Sequence, residues 1–344
     1  MSKQTSMTSN VLLPIIGFSL SSYTVMNFIF YLNYLNYNNP LSYILIGAPF
    51  IGRIFTPITY NLLYRFGTNR LMFGTLGLLG SVNLVESFTG NFDVLLALRV
   101  ISGILFGLTT SESMRLASES GSNVVVGLTM GGWALGWVLS AVSDSLLGKY
   151  MLLPSSALLA SFLFVGRAEN RVAVKGSRIA LSAKALLVFL LGLEPAYILQ
   201  VIPSILGSES VMETIASYSV SFLAYIGMSF VRRIRYVALF VLPLVGGLGF
   251  VAFISSYPWL LAAFTVLGLG INAVLPIMVR SMGVEPRKIG PSMNLASISG
   301  FLIPVLVGLG NVRINSALLT LLMLTVLSSI VFIELRDNSK VSGK

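Results

Sequence analysis

Residues 167–184, RAENRVAVKGSRIALSAK, form the longest polar stretch of a 344-residue chain and carry five basic groups. On either side the sequence returns to apolar runs of about 20 residues, the length at which one helix crosses the hydrocarbon layer of a bilayer. Towards the N-terminus the runs fall at 149–166, 122–147, 92–114, 70–89, 40–64 and 11–35. Towards the C-terminus they fall at 185–206, 211–231, 236–256, 258–279, 289–311 and 314–335. The predicted fold is therefore an all-α integral membrane protein of twelve transmembrane helices in two six-helix bundles. Residues 1–166 form the first bundle, 167–184 a basic linker and 185–344 the second. Short connections make consecutive helices antiparallel neighbours.

Composition agrees with a lipid-facing exterior. Of all residues, 55% are apolar and only 10% charged, with a mean hydropathy of +0.88. A water-soluble domain devotes about a quarter of its residues to charge. The first run, 11–35, exceeds a signal-peptide core and reads as a retained span.

A net charge of +10 raises the question of nucleic acid, and the placement of the basic residues answers it. With the N-terminus in the cytoplasm, eighteen of the 22 Lys and Arg residues fall in inner segments. Two, Lys149 and Arg313, fall outside, while Arg53 and Arg99 lie inside spans. This asymmetry predicts a multi-pass protein of the cell membrane with both termini cytoplasmic. The lipid bilayer, not nucleic acid, is then the partner of the positive charge. The halves also echo each other faintly, with Gly132 to Gly136 opposite Gly300 to Pro304 and Arg65 opposite Arg232.

The residue types exclude much chemistry. The chain has neither Cys nor His, which removes disulfides, thiolate nucleophiles and the usual metal ligands, and leaves carboxylates as proton carriers. No G-x-x-x-x-G-K-[ST] phosphate loop occurs, and the twelve acidic residues are scattered, so neither ATP drive nor a membrane-embedded enzyme is expected. No cofactor or metal is expected either.

Charged groups inside spans each cost several kcal/mol in hydrocarbon unless they face partners or water, which makes them the first candidates for function. Glu194 lies about 14 Å from the inner face at 1.5 Å per residue. Gly192, Pro195 and Pro203 surround it and predict a broken helix. Arg53 and Arg99 bracket that height, either as substrate-binding groups or as structural tethers. Tyr23, Asn27 and Tyr31 recur at helical spacing in the first span, with Tyr197 and Gln200 on the seventh and Asn272 on the tenth. Together they would line a cavity for a moderately polar organic solute; singly each is an ordinary packing residue. Glu112, near Arg65, Arg70 and Arg115, is a candidate inner gate or an interfacial charge.

Six spans, a basic linker and six more spans resemble the major facilitator superfamily. Residues 61–70, NLLYRFGTNR, are similar to its loop motif G-x-L-x-D-R-x-G-R-R through Arg65, Gly67 and Arg70, although Tyr60 and Tyr64 stand where the family has Gly and Asp. Arg99 to Gly103 resembles its R-x-x-x-G motif, and Gly127 to Gly136 its glycine-rich fifth-span motif without the Pro. The resemblance implies a monomeric secondary transporter that moves a small solute by alternating access, driven by an ion gradient, with protons as one candidate ion, or by the solute's own gradient, and a cytoplasmic gate at Arg65, Gly67, Arg70 and Glu112. Proton-coupled efflux leads. Uptake of a sugar or carboxylate by symport or facilitated diffusion, or a non-transporting receptor of the same fold, are the alternatives. Glu194 favours a cationic or neutral solute, and the two arginines favour an anion.

Overall fold

The computed structural model describes residues 2–35, 37, 39–166, 179–192, 211–230, 271–298 and positions scattered over 318–330. Over these residues the chain is all helical, without a strand. In the first half α1 is Ser2–Tyr31, α2 Asn39–Ile54, α3 Thr56–Leu63, α4 Thr68–Glu86, α5 Phe92–Glu119 and α6 Asn123–Leu147, followed by a 3-10 helix Leu153–Phe164. Beyond the linker come α7 Ala183–Phe189, α8 Val211–Met228, α9 Ile271–Ser281 and α10 Pro286–Ala296. Three stretches, Val11–Tyr34, Phe92–Glu119 and Asn123–Tyr150, are long and apolar enough to cross a membrane. Leu163 is 83% exposed, Phe88 79% and Leu146 76%, and such bare apolar side chains suit a surface wetted by lipid.

Helix ends follow local chemistry. The Asn91 side chain accepts the Val94 amide at 3.1 Å and starts α5; Ser122 and Ser182 accept the Val125 and Ala185 amides, each at 3.4 Å, and start α6 and α7. Two expectations need correction. The second span, expected unbroken over 40–64, is interrupted at Phe55, because Pro57 has no N–H for the carbonyl four residues back. The sixth, expected as one helix over 149–166, is wound as 3-10 helices Gly148–Tyr150 and Leu153–Phe164. At about 2.0 Å per residue this winding stretches a short sequence over more depth than an α-helix would.

Within the first half the helices approach backbone to backbone. A side chain added at Gly103 would lie 2.0 Å from the Pro49 carbonyl, and one at Gly52 would lie 2.1 Å from the Val100 carbonyl, so α2 and α5 meet only because both positions are bare. Among the described residues the halves meet along α6, which faces α8 and α9 with Arg280 donating to Asn123, and along α10. α6 runs along α8, with the Trp137 and Tyr218 rings stacked at 4.9 Å and 8°. α10 lies against α5, α3 and α2, with Gly290 facing the Ser111 backbone.

Candidate functional site

The α10 contact is centred on Asn294, which is fully buried. Its carbonyl oxygen accepts Arg53 Nε at 2.8 Å. Its amide nitrogen lies within donor range of the Gly107 carbonyl at 3.1 Å, Thr110 Oγ1 at 3.1 Å, Ser111 Oγ at 3.0 Å and the Gly290 carbonyl at 3.0 Å. With only two hydrogens, the amide serves two of these acceptors at a time. Arg53 reaches this point from the last turn of α2, its guanidinium 4.9 Å above the Phe106 ring and 5.6 Å above that of Phe50. One asparagine thus joins α2 and α5 to a helix 241 residues away in sequence from Arg53. Close approach permits it: a side chain at position 290 would come within 2.4 Å of Ser111 Cα.

Next to Ser111 on α5, on the side of the α3–α4 turn, Glu112 is also fully buried. It pairs with Arg115 at 2.7 Å and accepts the Tyr60 hydroxyl at 2.7 Å. Arg115 also pairs with Glu119, donates to Thr68 Oγ1 at 3.1 Å and lies 6.0 Å from the Tyr64 ring centre. Tyr60 and Tyr64 therefore attach the α3–α4 turn to this ion pair. Arg65 and Arg70 are exposed, Arg65 lying 5.0 Å from the Phe66 ring centre. Gly67 has φ +83°, a conformation open to glycine, and it lets the chain reverse into α4. The end of the linker crosses the same region. The Ala180 amide donates to the Pro57 carbonyl and the Ser182 amide to Ser292 Oγ, both at 3.0 Å, so residues 180–182 strap α3 to α10.

Arg99 belongs to a different cluster, near the opposite end of the first half. Its Nη1 faces Glu86 Oε1 at 3.9 Å, its Nη2 donates to the Val25 carbonyl at 3.0 Å, and it lies 4.4 Å from the Phe28 ring centre. Both charged side chains are fully buried, and neither Glu86 oxygen has a hydrogen-bond partner among the described residues. The first-span candidates serve the same half: Tyr23 shares a hydrogen bond with Ser143 at 3.0 Å, Asn27 donates to the Met151 carbonyl at 2.6 Å, and Tyr31 packs on Phe28 and Tyr34. These groups tie α1 to α6 and to the chain that leads into the 3-10 helix.

Glu194, Tyr197 and Gln200 lie outside the described residues, and Asn272 sits in the first turn of α9. The structure thus brings Arg53 to the contact between halves and Arg99 into the interior of one half. Sequence reading had not singled out Asn294 or Glu86. Glu86 left a signal, since with Asn83 it puts two polar groups three residues apart, on one face of an otherwise apolar run. Asn294 left none beyond being an amide in a span. No protein-family model matches this chain, and no curated protein matches it.

Proposed function

We propose that the chain is a secondary transporter of the major facilitator type, in which two six-helix halves rock about a central site and expose it to each side of the cell membrane in turn. The observation that carries this reading is the buried Arg53–Asn294 contact, a charged group in the middle of a span whose hydrogen-bond partner belongs to the other half. Such a contact closes one end of the boundary between halves and can be broken without unfolding either. The arrangement of contacts supports it further. In the twelve-span order, α6 and α8 are spans five and eight, while α2 and α10 belong to spans two and eleven. An axis that carries each span to the one six further on turns the first contact into the second, as a parallel repeat requires.

With both termini inside, the Asn294 network, the Glu112–Arg115 pair and the linker strap all lie on the cytoplasmic side. The described conformation is then closed to the cytoplasm. Glu194, on the seventh span, is the carboxylate proposed to couple transport to protons. The test is flux of a solute panel into proteoliposomes that hold the full-length chain, under imposed pH and solute gradients. Saturable uptake or counterflow of at least one solute is expected. A ligand that binds while no solute moves under any gradient would refute transport and leave a receptor of the same fold.

A further inference from the structure

We infer that the solute is an organic anion with an aromatic or apolar body, its oxyanion held by Arg53 and its body laid against the half-buried ring of Trp133. This rests on the transport reading and narrows its substrate class. Four arginines are buried among the described residues: Arg53, Arg99, Arg115 and Arg287. Arg99 faces Glu86, Arg115 pairs with Glu112 and Glu119, and Arg287 pairs with Glu285. Of these four, Arg53 alone has no carboxylate partner among the described residues. A buried cation without a counter-charge is costly, and a protein retains one where an anion arrives to complete it.

The geometry leaves the correct atoms for that role. Nε donates to Asn294, and the two terminal nitrogens donate to no partner among the described residues. The aromatic rings of Phe106 and Phe50 lie against the guanidinium and supply no acceptor oxygen. A carboxylate, sulfonate or phosphate presents oxygens at the spacing of a guanidinium fork. From Arg53 a chain of rings leads outward: the buried Phe106 meets the buried Phe18 edge-on at 6.2 Å and the half-buried Trp133 at 6.0 Å. One helical turn beyond Trp133, Trp137 stacks on Tyr218 of the other half, and its indole N–H has no partner among the described residues. The half-buried Trp133, in contact with the Phe106 ring that lies on the guanidinium, is therefore a ring that a solute bound at Arg53 can touch, which selects for an apolar body and one anionic end. Arg53 also serves the closed contact through Asn294, so an anion drawn to its terminal nitrogens acts on the same side chain that holds the halves together.

The test is calorimetric titration of the purified full-length chain with 4-phenylbutyrate, its amide, the matching amine, and acetate as an anion without a body. The carboxylate is expected to bind roughly tenfold or more tightly than the amide, the amine not at all, and acetate far more weakly. Arg53→Gln should erase the preference for the carboxylate over the amide, and Arg53→Lys should keep part of it. Trp133→Leu should weaken 4-phenylbutyrate and leave acetate unchanged. If Arg53→Gln does not fold, the ranking in the native chain decides. Equal or tighter binding of the amide or amine overturns the inference, as does a preference that survives in Arg53→Gln. So does a failure of every aromatic carboxylate, sulfonate and phosphate in a wider panel to bind. Anion binding through Arg53 without flux would sink transport and leave the site; flux of a cationic or neutral solute alone would sink the site and leave transport.

Discussion

In the proposed transporter, replacing Asn294 by Ala should open the side assigned to the cytoplasm. The substitution removes the hydrogen bond from Arg53 Nε at 2.8 Å and at least one of the bonds to α5, at Gly107, Thr110 or Ser111. A bond to a charged group contributes about 1.5–3 kcal/mol and a neutral one about 1 kcal/mol, so the closed contact loses about 3 kcal/mol relative to a state in which these groups face water. That corresponds to a roughly 100-fold rise in the ratio of open to closed molecules. The chain has no cysteine, so a single thiol reports without background. Ser292→Cys puts it at a position with no exposed surface, beside Ser182 of the linker strap. If opening limits access, the labelling rate by a membrane-impermeant thiol reagent on inside-out vesicles follows the open fraction and should rise by a similar factor in Asn294→Ala. Thr110→Val removes only one of several alternative acceptors and should change the rate by less than about tenfold. Labelling unchanged within about threefold in Asn294→Ala would show that this network does not hold the halves together.

Gly290→Ala should have the same sign by a different route, since its methyl group would lie 2.4 Å from Ser111 Cα and 2.9 Å from the Ser111 carbonyl. Such overpacking costs about 1–3 kcal/mol in the closed state, and the thiol at position 292 should label faster while thermal stability changes little. Arg99→Met leaves the Glu86 carboxylate buried without a counter-charge, at a cost of about 3–5 kcal/mol. A clear drop in the unfolding temperature in detergent is expected, part of it restored by adding Glu86→Gln; no drop would mean that the pair is not the electrostatic tie described. Glu194→Gln, outside the described residues, should abolish uptake driven by a pH gradient while solute exchange persists. Uptake that keeps its native pH dependence in this variant removes Glu194 from the coupling.

The hydropathy of the sequence located the helices well where depth alone decides them. The runs at 92–114 and 122–147 correspond to Phe92–Glu119 and Asn123–Leu147, and the run at 70–89 to Thr68–Glu86. It did not show the winding, because an apolar run has the same hydropathy as an α-helix or a 3-10 helix, and so 149–166 was expected as one regular helix. Nor did it weigh Pro57 in the second run against the length of that run. The candidate site was legible in part. Arg53 and Arg99 stood out because charge in hydrocarbon is costly wherever it points, but which was paired inside a half and which reached across could not be read from depth. That distinction depends on Glu86 and Asn294, residues 13 and 241 positions away, brought close by helix packing. Glu112 was located as a charge near basic neighbours, and its partner proved to be Arg115 on its own helix, with Tyr60 from the preceding one.

The two kinds of contact suit the two conformations that the proposed transport cycle requires. Inside the first half, α2 and α5 are locked by carbonyls that leave no room for even a methyl group at Gly52 or Gly103, a fit that has one arrangement and is lost entirely if the helices slide. The Arg53–Asn294 network is different in kind. Its members are a guanidinium, an amide and hydroxyls, groups that water or an oxyanion can satisfy almost as well as they satisfy each other. Breaking it therefore exchanges partners instead of abandoning them, which keeps the difference between closed and open states to a few kcal/mol. A ligand shifts such a balance only by its differential affinity for the two states, and an anion at Arg53 would have one, because it engages the cation on which the closed state depends.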